Sequence, residues 1–469
     1  MTTDQTLTLS APAVRRDFWR RWGKLLLTIA GQNIIVYGVN LLDNIMIGRL
    51  GDAAELAIAG VFIVNQIQFL LQMIMNGVSD GTVVICSRYW GEKNIADIKK
   101  AASAALRFGL ILSGAFLAAA LLFPRPILSI FTNKPDVIDE AVKYLGIVAF
   151  TYVLFAATQI LLGMLRSVEC AFIGFINSCA ALVVNLTLNY ALIFGRLGFP
   201  KMGIRGAAIA TLAARAVELL IVIVYLAFFD KKLNLRFSDL FRTEREITKK
   251  YFKVALPVIA SGTSWGIAMG LQTAILGRLE DSVITANSIA STVFQIMSVF
   301  IYGSATASSV MIGKTIGEGG LDRGGDPEKL KAEIKHRAGW MQVIFLILGV
   351  STGLALFFSR HAILGFYDLT PETEALAARF MAVLSVTVAG TAYQMACLTG
   401  IVRGGGDTRF VFINDLIFMW GIILPSSYLA AFVFELPPVV IFICLKADQI
   451  LKCAVAVVKV NRYKWMKKI

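Results

Sequence analysis

The chain has 469 residues, of which 57% are hydrophobic and 16% charged; a soluble domain carries about 25% charged residues, so a soluble globular class is excluded and a polytopic membrane protein is indicated. The formal net charge of +14 would suit nucleic acid, but the basic residues fall in blocks between apolar runs, as membrane topology requires, and no nucleic-acid partner is expected. Six cysteines without a CxxC pair and two distant histidines, His336 and His361, indicate neither a disulfide framework nor a metal site, and no cofactor is expected.

A membrane-spanning helix needs about 20 apolar residues. Twelve such spans can be read, numbered here helices 1 to 12: 24–48, 53–87, 101–123, 138–163, 170–195, 203–229, 251–279, 283–313, 338–358, 376–400, 409–434 and 437–458. The fold class is therefore an all-α integral membrane protein. Arg15, Arg16, Arg20 and Arg21 precede helix 1, and no small-residue cleavage site follows it, so helix 1 reads as a retained span and not as a signal peptide. Helices 2 and 8 are long and carry Gly77 and Gly81, and Gly303, in their final third, where bends are expected. An even count puts both termini on one side of the bilayer. Lys and Arg are about threefold more numerous in the connections on that side, which makes it the cytoplasm. The chain is therefore expected to cross its membrane many times with both termini cytoplasmic. The longest charged connection, Asp230 to Lys250, divides the chain into a six-helix half over 1–230, a cytoplasmic linker over 231–250 and a second six-helix half over 251–469.

The two halves repeat. IMIGRLGD, Ile45 to Asp52, returns as AILGRLED, Ala274 to Asp281. Residues 75–92 match 301–318 without a gap, sharing Gly77/Gly303, Val84/Val310, Arg88/Lys314, Gly91/Gly317 and Glu92/Glu318. Residues 163–177 match 400–414, sharing Gly163/Gly400, Arg166/Arg403 and Asn177/Asn414. Six spans per repeat make the repeats parallel, related by a pseudo-two-fold axis along the membrane normal, with a central cleft between them.

Asp43 stands inside helix 1, where a carboxylate costs roughly 2.5 kcal/mol or more and marks an ion or substrate path by default. Its repeat position is Gln272, so one half alone holds this acid. Asn185 and Asn189 are four apart on helix 5, hence on one face, and Thr211 lies on helix 6 at similar depth. Asn40 and Asn44 flank Asp43. These groups could hold a cation or share a proton and its waters; the alternative is that the amides and the hydroxyl only bond helices together. Arg215 and Glu218, three apart on helix 6, are expected to pair with each other. Asp80, Asp415, Lys446 and Asp448 are further intramembrane charges that sequence does not rank. Trp265, Met269 and Gln272 on helix 7, with Phe294, Met297 and Tyr302 on helix 8, could line a substrate cleft with an adaptable apolar wall; packing is the plainer role for such side chains.

Twelve spans in two parallel repeats, the GGGDTRF turn (Gly404 to Phe410), the IMIGRLG end of helix 1 and MGIRGAAIAT (Met202 to Thr211) together resemble the multidrug and toxic compound extrusion (MATE) transporters, nearest the prokaryotic DinF-like branch. The resemblance implies a helix 1 aspartate, an Asn-x-x-x-Asp pair on helix 5 and a helix 6 threonine as the cation site, which fall on Asp43, Asn185 and Thr211. Asn189 stands where that pattern has its second aspartate. The glutamate on helix 7 and aspartate on helix 10 of NorM-like members have no counterpart here. The implied activity is an antiporter that exports organic, often cationic or amphipathic, compounds by alternating access, driven by protons more than sodium, as a monomer in the lipid bilayer. A flippase for a lipid-linked saccharide on the same general fold is the alternative. An intramembrane enzyme using Asp43 with Asp80 is disfavoured because the two acids lie near opposite ends of their spans, and no GxxxxGK[ST] motif supports direct ATP coupling.

Overall fold

The structure, a computed structural model, describes residues 12–48, 54–196, 198–242, 244–367 and 369–469. It is helical throughout, and among the described residues the only bridge pairing is the isolated one of Gly406 with Met466. Each expected span has its helix. Helix 1 runs Pro12–Gly48, helix 2 Ala54–Gly91 and helix 3 Ile95–Leu122; helix 4 is Pro135–Val148 followed by Thr151–Ser167. Helix 5 is Phe172–Phe194, helix 6 Ile204–Val224 with a π-helical end Tyr225–Phe229, and helix 7 Arg245–Leu276. Helix 8 is Asp281–Met297 then Val299–Glu318, helix 9 Pro327–Leu364, and helix 10 Pro371–Met395 with π-helical Ala396–Val402. Helix 11 is Thr408–Leu416, π-helical Ile417–Ile423 and Leu424–Phe432; helix 12 is Pro438–Lys446 then Asp448–Asn461. Among the described residues, length and hydropathy alone select eight of these, or ten with the two bent pairs.

Local chemistry sets the ends. Helix 9 opens on Asp326, whose carboxylate accepts from the Glu328 amide at 2.9 Å, with Pro327 in the first turn, where its missing N–H is no loss. Helix 10 repeats the device with Thr370 before Pro371. Helix 5 stops at Gly195, whose φ of 68° is the left-handed cap that glycine adopts without strain.

The bends do not fall where glycine suggested. Helix 2 runs unbroken through Gly77 and Gly81, and helix 8 breaks by 46° at Ser298, ahead of Gly303. An unforeseen bend of 48° interrupts helix 4 after Val148. The glycines serve close approach instead. A Cβ on Gly77 would stand 2.7 Å from the Ile259 Cα, one on Gly81 2.6 Å from the Ala255 Cβ, and one on Gly303 2.9 Å from the Leu26 carbonyl. Real Cβ atoms do not approach so closely, so these positions let helices 2 and 7, and helices 8 and 1, touch by their backbones.

Contacts group the chain into two compact units. One takes the start of helix 1 through Ala30, Ser87–Asn94 and Ile267–Ile469; the other takes Gly31–Cys86 and Ile95–Gly266. In the first, Phe380 stacks on Phe442 with ring centroids 4.2 Å apart amid buried residues of helices 7 to 12. The same unit holds a reciprocal contact between repeat partners: Gly91 lies against the Lys314 carbonyl, and Gly317 against the Arg88 carbonyl. Beside it the Arg88 guanidinium, 1% exposed, donates to the Lys467 carbonyl at 2.7 Å and the Gly405 carbonyl at 3.0 Å and pairs with Asp322 at 3.2 Å. The final residues are thereby tied to the GGGDTRF turn, where the Lys467 amide also donates to the Gly405 carbonyl at 3.0 Å.

In the second unit the charged connection is fastened, not free. Lys99 Nζ donates to Asp239 at 2.7 Å and to the Asn234 carbonyl at 2.9 Å, and the Ser103 hydroxyl donates to the Leu240 carbonyl at 2.6 Å. Lys99, with the Arg236 amide, holds the Asp239 carboxyl below its ordinary range. A carboxyl lowered by folding adds stability above its unfolded value, about 3.9, and loses it as pH falls through the lower folded value. Amide exchange over 234–242 is therefore expected to stay protected down through about pH 4 and to rise only below it. Asp239→Asn should expose the segment at every pH; equal protection in the variant would refute the clasp.

Candidate functional site

The second unit contains a half-open cavity of about 300 Å³. Helix 1 supplies Val36 and Val39, helix 5 Ser178, Ala181 and Asn185, and helix 6 Thr211, Arg215 and Glu218. Helix 2 contributes Asn65, Gln68 and Gln72, and Tyr144 of helix 4 completes the polar wall. Helical spacing explains the convergence: Thr211, Arg215 and Glu218 are four and three apart, so one face of helix 6 carries all three.

Three of the expected coupling residues meet here. Asn185 and Thr211 both line the cavity. Asn189, one turn along, is 1% exposed and donates from Nδ2 to the Asn185 Oδ1 at 3.0 Å, so the two amides act as one unit. The Thr211 hydroxyl donates back to the Ala207 carbonyl at 3.0 Å, which leaves its oxygen lone pairs for a ligand. Asn40, Asp43 and Asn44 lie on the helix 1 backbone, but their side chains fall outside the described residues. Arg215 and Glu218 form the expected pair, Nη1 to Oε2 2.7 Å, and the guanidinium also sits 5.1 Å above the Phe155 ring. The two charges in the described wall thus neutralise each other.

None of the six residues proposed for a substrate cleft is among the described lining residues of this cavity. Phe294 and Met297 pack against the buried cluster around Phe380 and Phe442, the plainer role. Gln272, 4% exposed, donates to the Met419 sulfur at 3.3 Å. Met269 and Tyr302 are half-buried in the same unit, while Trp265, in the other unit, is 42% exposed.

Sequence reading missed the helix 2 amides. Asn65, Gln68 and Gln72 stand at i, i+3 and i+7 in an apolar helix, a polar stripe that helical periodicity could have exposed. Asp80, near the inner end of the same helix, has Arg166 as its neighbouring charge, and Arg166 donates to the Ser79 hydroxyl at 2.9 Å.

The family profile described as MatE matches residues 28–191 and 257–429, one block in each six-helix repeat. The chain belongs to the MatE family. It is a multi-pass membrane transporter and not an enzyme, since MatE members are secondary transporters. Relatives include the uncharacterized transporter YisQ of Bacillus subtilis, 22% identical over 82% of each chain. The probable multidrug resistance protein NorM of Thermotoga maritima is 24% identical over 97% of this chain and 94% of its own. Among solved structures, a crystal structure of MATE in complex with MaL6 matches with a TM-score of 0.82 at 18% identity, covering 94% of this chain and 95% of its own. That likeness shows the MatE fold, twelve helices in two repeats, as the sequence had indicated.

Proposed function

We propose that the chain is a proton-coupled antiporter that exports small organic, often cationic or amphipathic, compounds across a bacterial inner membrane by alternating access of its halves, 1–230 and 251–469. Family membership and the multidrug resistance relatives support the substrate class. The observation that carries the coupling reading is the cavity beside helix 1. Position 43 follows Val36 and Val39, both in the cavity wall, at i+7 and i+4. Asp43 is assigned as the group that takes the coupling ion, with Asn185, Asn189 and Thr211 as its polar surroundings and Asn40 and Asn44 as neighbours on its own helix. Protons are favoured over sodium because Asn189 stands where a second carboxylate would be: one negative charge in place of two weakens a sodium site, whereas one carboxylate suffices for a proton. Loading of Asp43 from outside favours outward release of cargo, and its deprotonation inward resets the cycle. The saccharide flippase reading is weaker, because Arg215, the arginine in the described wall, is already paired with Glu218, which balances the charge a pyrophosphate would need.

The test is ethidium efflux from proteoliposomes under an imposed pH gradient or an imposed sodium gradient. Native protein should respond to the pH gradient, and Asp43→Asn should fall to the rate of empty vesicles, at least about tenfold lower, the loss of one essential coupling group. Efflux driven by sodium alone, or an Asp43→Asn variant as active as the native chain, would overturn the coupling assignment.

A further inference from the structure

The offset that pairs Gly163 with Gly400 and Asn177 with Asn414 also pairs Ser178 with Asp415, Thr211 with Asp448 and Arg215 with Lys452. In the N-terminal half, Ser178, Thr211 and Arg215 all line the cavity. In the C-terminal half their counterparts meet one another. Lys452 Nζ lies 3.0 Å from Asp415 Oδ1 and 3.5 Å from Asp448 Oδ2, joining helix 11 to helix 12. Gln449 Nε2 donates to both Asp448 oxygens at 3.1 Å, and Gln394 of helix 10 donates to Gln449 Oε1 at 2.9 Å. The positions that make a polar cavity wall in one repeat carry a carboxylate–ammonium–carboxylate group in the other.

The backbone is irregular at each helix that enters this group. The π-helical turn Ile417–Ile423 begins just past Asp415, that of Ala396–Val402 just past Gln394, and helix 12 breaks at Ala447, between Lys446 and Asp448. Such departures inside long helices collect at functional sites and give a helix room to re-register. A purely structural ion pair does not call for them, and buried ion pairs are in any case weak stabilisers.

Two carboxylates share the Lys452 ammonium, and Lys446, with its Nζ 5.6 Å over the Phe442 ring, is a second positive charge beside Asp448. Tyr393 and Cys397 of helix 10 and Cys453 of helix 12 are ionisable groups beside Gln394 and Gln449. The Tyr393 hydroxyl donates to Gln342 at 2.6 Å, and the Cys453 thiol contacts the Gln449 carbonyl at 3.2 Å. Further along helix 12, Lys459 is paired with Asp407 at 2.7 Å. Asp448, with a side chain 3% exposed, is held by both Lys452 and Gln449, whereas the Asp415 side chain is 27% exposed.

We propose that Asp415, Asp448 and Lys452 form a second proton-exchanging site, in the C-terminal half, with Asp415 as the group that takes the proton. The step is a single proton transfer: a hydronium ion gives its proton to the Asp415 carboxylate and leaves as water, Lys452 turns wholly to Asp448, and the link from helix 11 to helix 12 loosens beside the π-helical turns. Release reverses it. The site deepens the antiporter reading above, but proton binding can be measured without transport.

The full chain in lipid would be stepped from alkaline to acid pH, and the carboxylic C=O bands followed by infrared difference spectroscopy. A titrating component is expected that Asp415→Asn removes, Asp415→Glu restores at a shifted position, and Asp43→Asn leaves intact. Asp415→Asn leaves Lys452 balanced by Asp448, so the variant should fold. Should it not, Asp415→Glu keeps the charge and must still displace the component. A component that neither Asp415 variant alters overturns the proposal. A native protein with no component that Asp43→Asn removes would sink the coupling scheme of the previous section and leave this site standing.

Discussion

Gly317→Leu is expected to prevent the native fold from forming. Gly317 is fully buried on helix 8, and a Cβ there would collide with the carbonyl of Arg88 and stand 3.1 Å from the Glu92 amide. Both obstacles are backbone, which cannot rotate aside as a side chain can. Overpacking a core costs typically about 1–3 kcal/mol where side chains can shift, and more where they cannot. Membrane helices rely on such small residues for close contact, since lipid supplies no hydrophobic force between them. Gly91→Leu should fail for the mirror reason, against the Lys314 carbonyl and the Glu318 amide. Gly339→Leu on helix 9 is the control, because nothing lies within 4 Å of a Cβ there. Thermal unfolding in detergent, read by size-exclusion profile, should show the first two aggregated and the control native. A Gly317→Leu protein melting with the wild type would refute the contact.

Arg88→Leu should be nearly as severe. The guanidinium joins helix 2 to the Asp322 carboxylate and to the carbonyls of Gly405 and Lys467. Removing one partner of a buried charge pair typically costs about 3–5 kcal/mol, because the other charge is left unanswered. Asp322 would keep the Ile469 amide at 3.0 Å, too little to replace a guanidinium. Arg88→Lys should recover only part of the loss, since an ammonium cannot reproduce the planar fork that reaches three groups. Hydrogen exchange of residues 463–469 is the sensitive reading: protection should vanish in Arg88→Leu and fall in Arg88→Lys. Unchanged protection would mean that Lys459–Asp407 and the Lys467 amide hold the segment without it.

Hydropathy read together with the alternation of charged connections placed all twelve helices, where length and hydropathy alone reach eight or ten among the described residues. Breaks within helices were not legible. Gly303 suggested a bend, yet the break is at Ser298 and the glycine is spent on the Leu26 carbonyl, a partner far away in sequence. The π-helical turns after Gln394 and Asp415 leave no local signature, since tertiary packing decides them. Within the site, the four-residue spacing of Asn185 and Asn189 announced a shared face, and the structure joins them by a hydrogen bond. Asp43, the most informative residue in the sequence, has its side chain outside the described residues. Gln68 and Gln72 went unread because an uncharged amide in a span costs little and so carries little signal. Asp415 and Asp448 stood unranked in the sequence, because the Lys452 ammonium that joins them is brought to Asp415 from another helix only by packing.

The contact of Gly91 and Gly317 bears on ancestry as well as stability. Two halves that each press the same glycine against the other's backbone reproduce the isologous interface of a two-fold homodimer, in which one residue serves both sides. A six-helix ancestor pairing with its own copy would have needed a single glycine there. Gene fusion turns that one constraint into two, each mutable by itself, and the flanking basic residues have already diverged: one copy is Arg88, locked onto Asp322, and the other is Lys314, paired along its own helix with Glu318 at 3.8 Å.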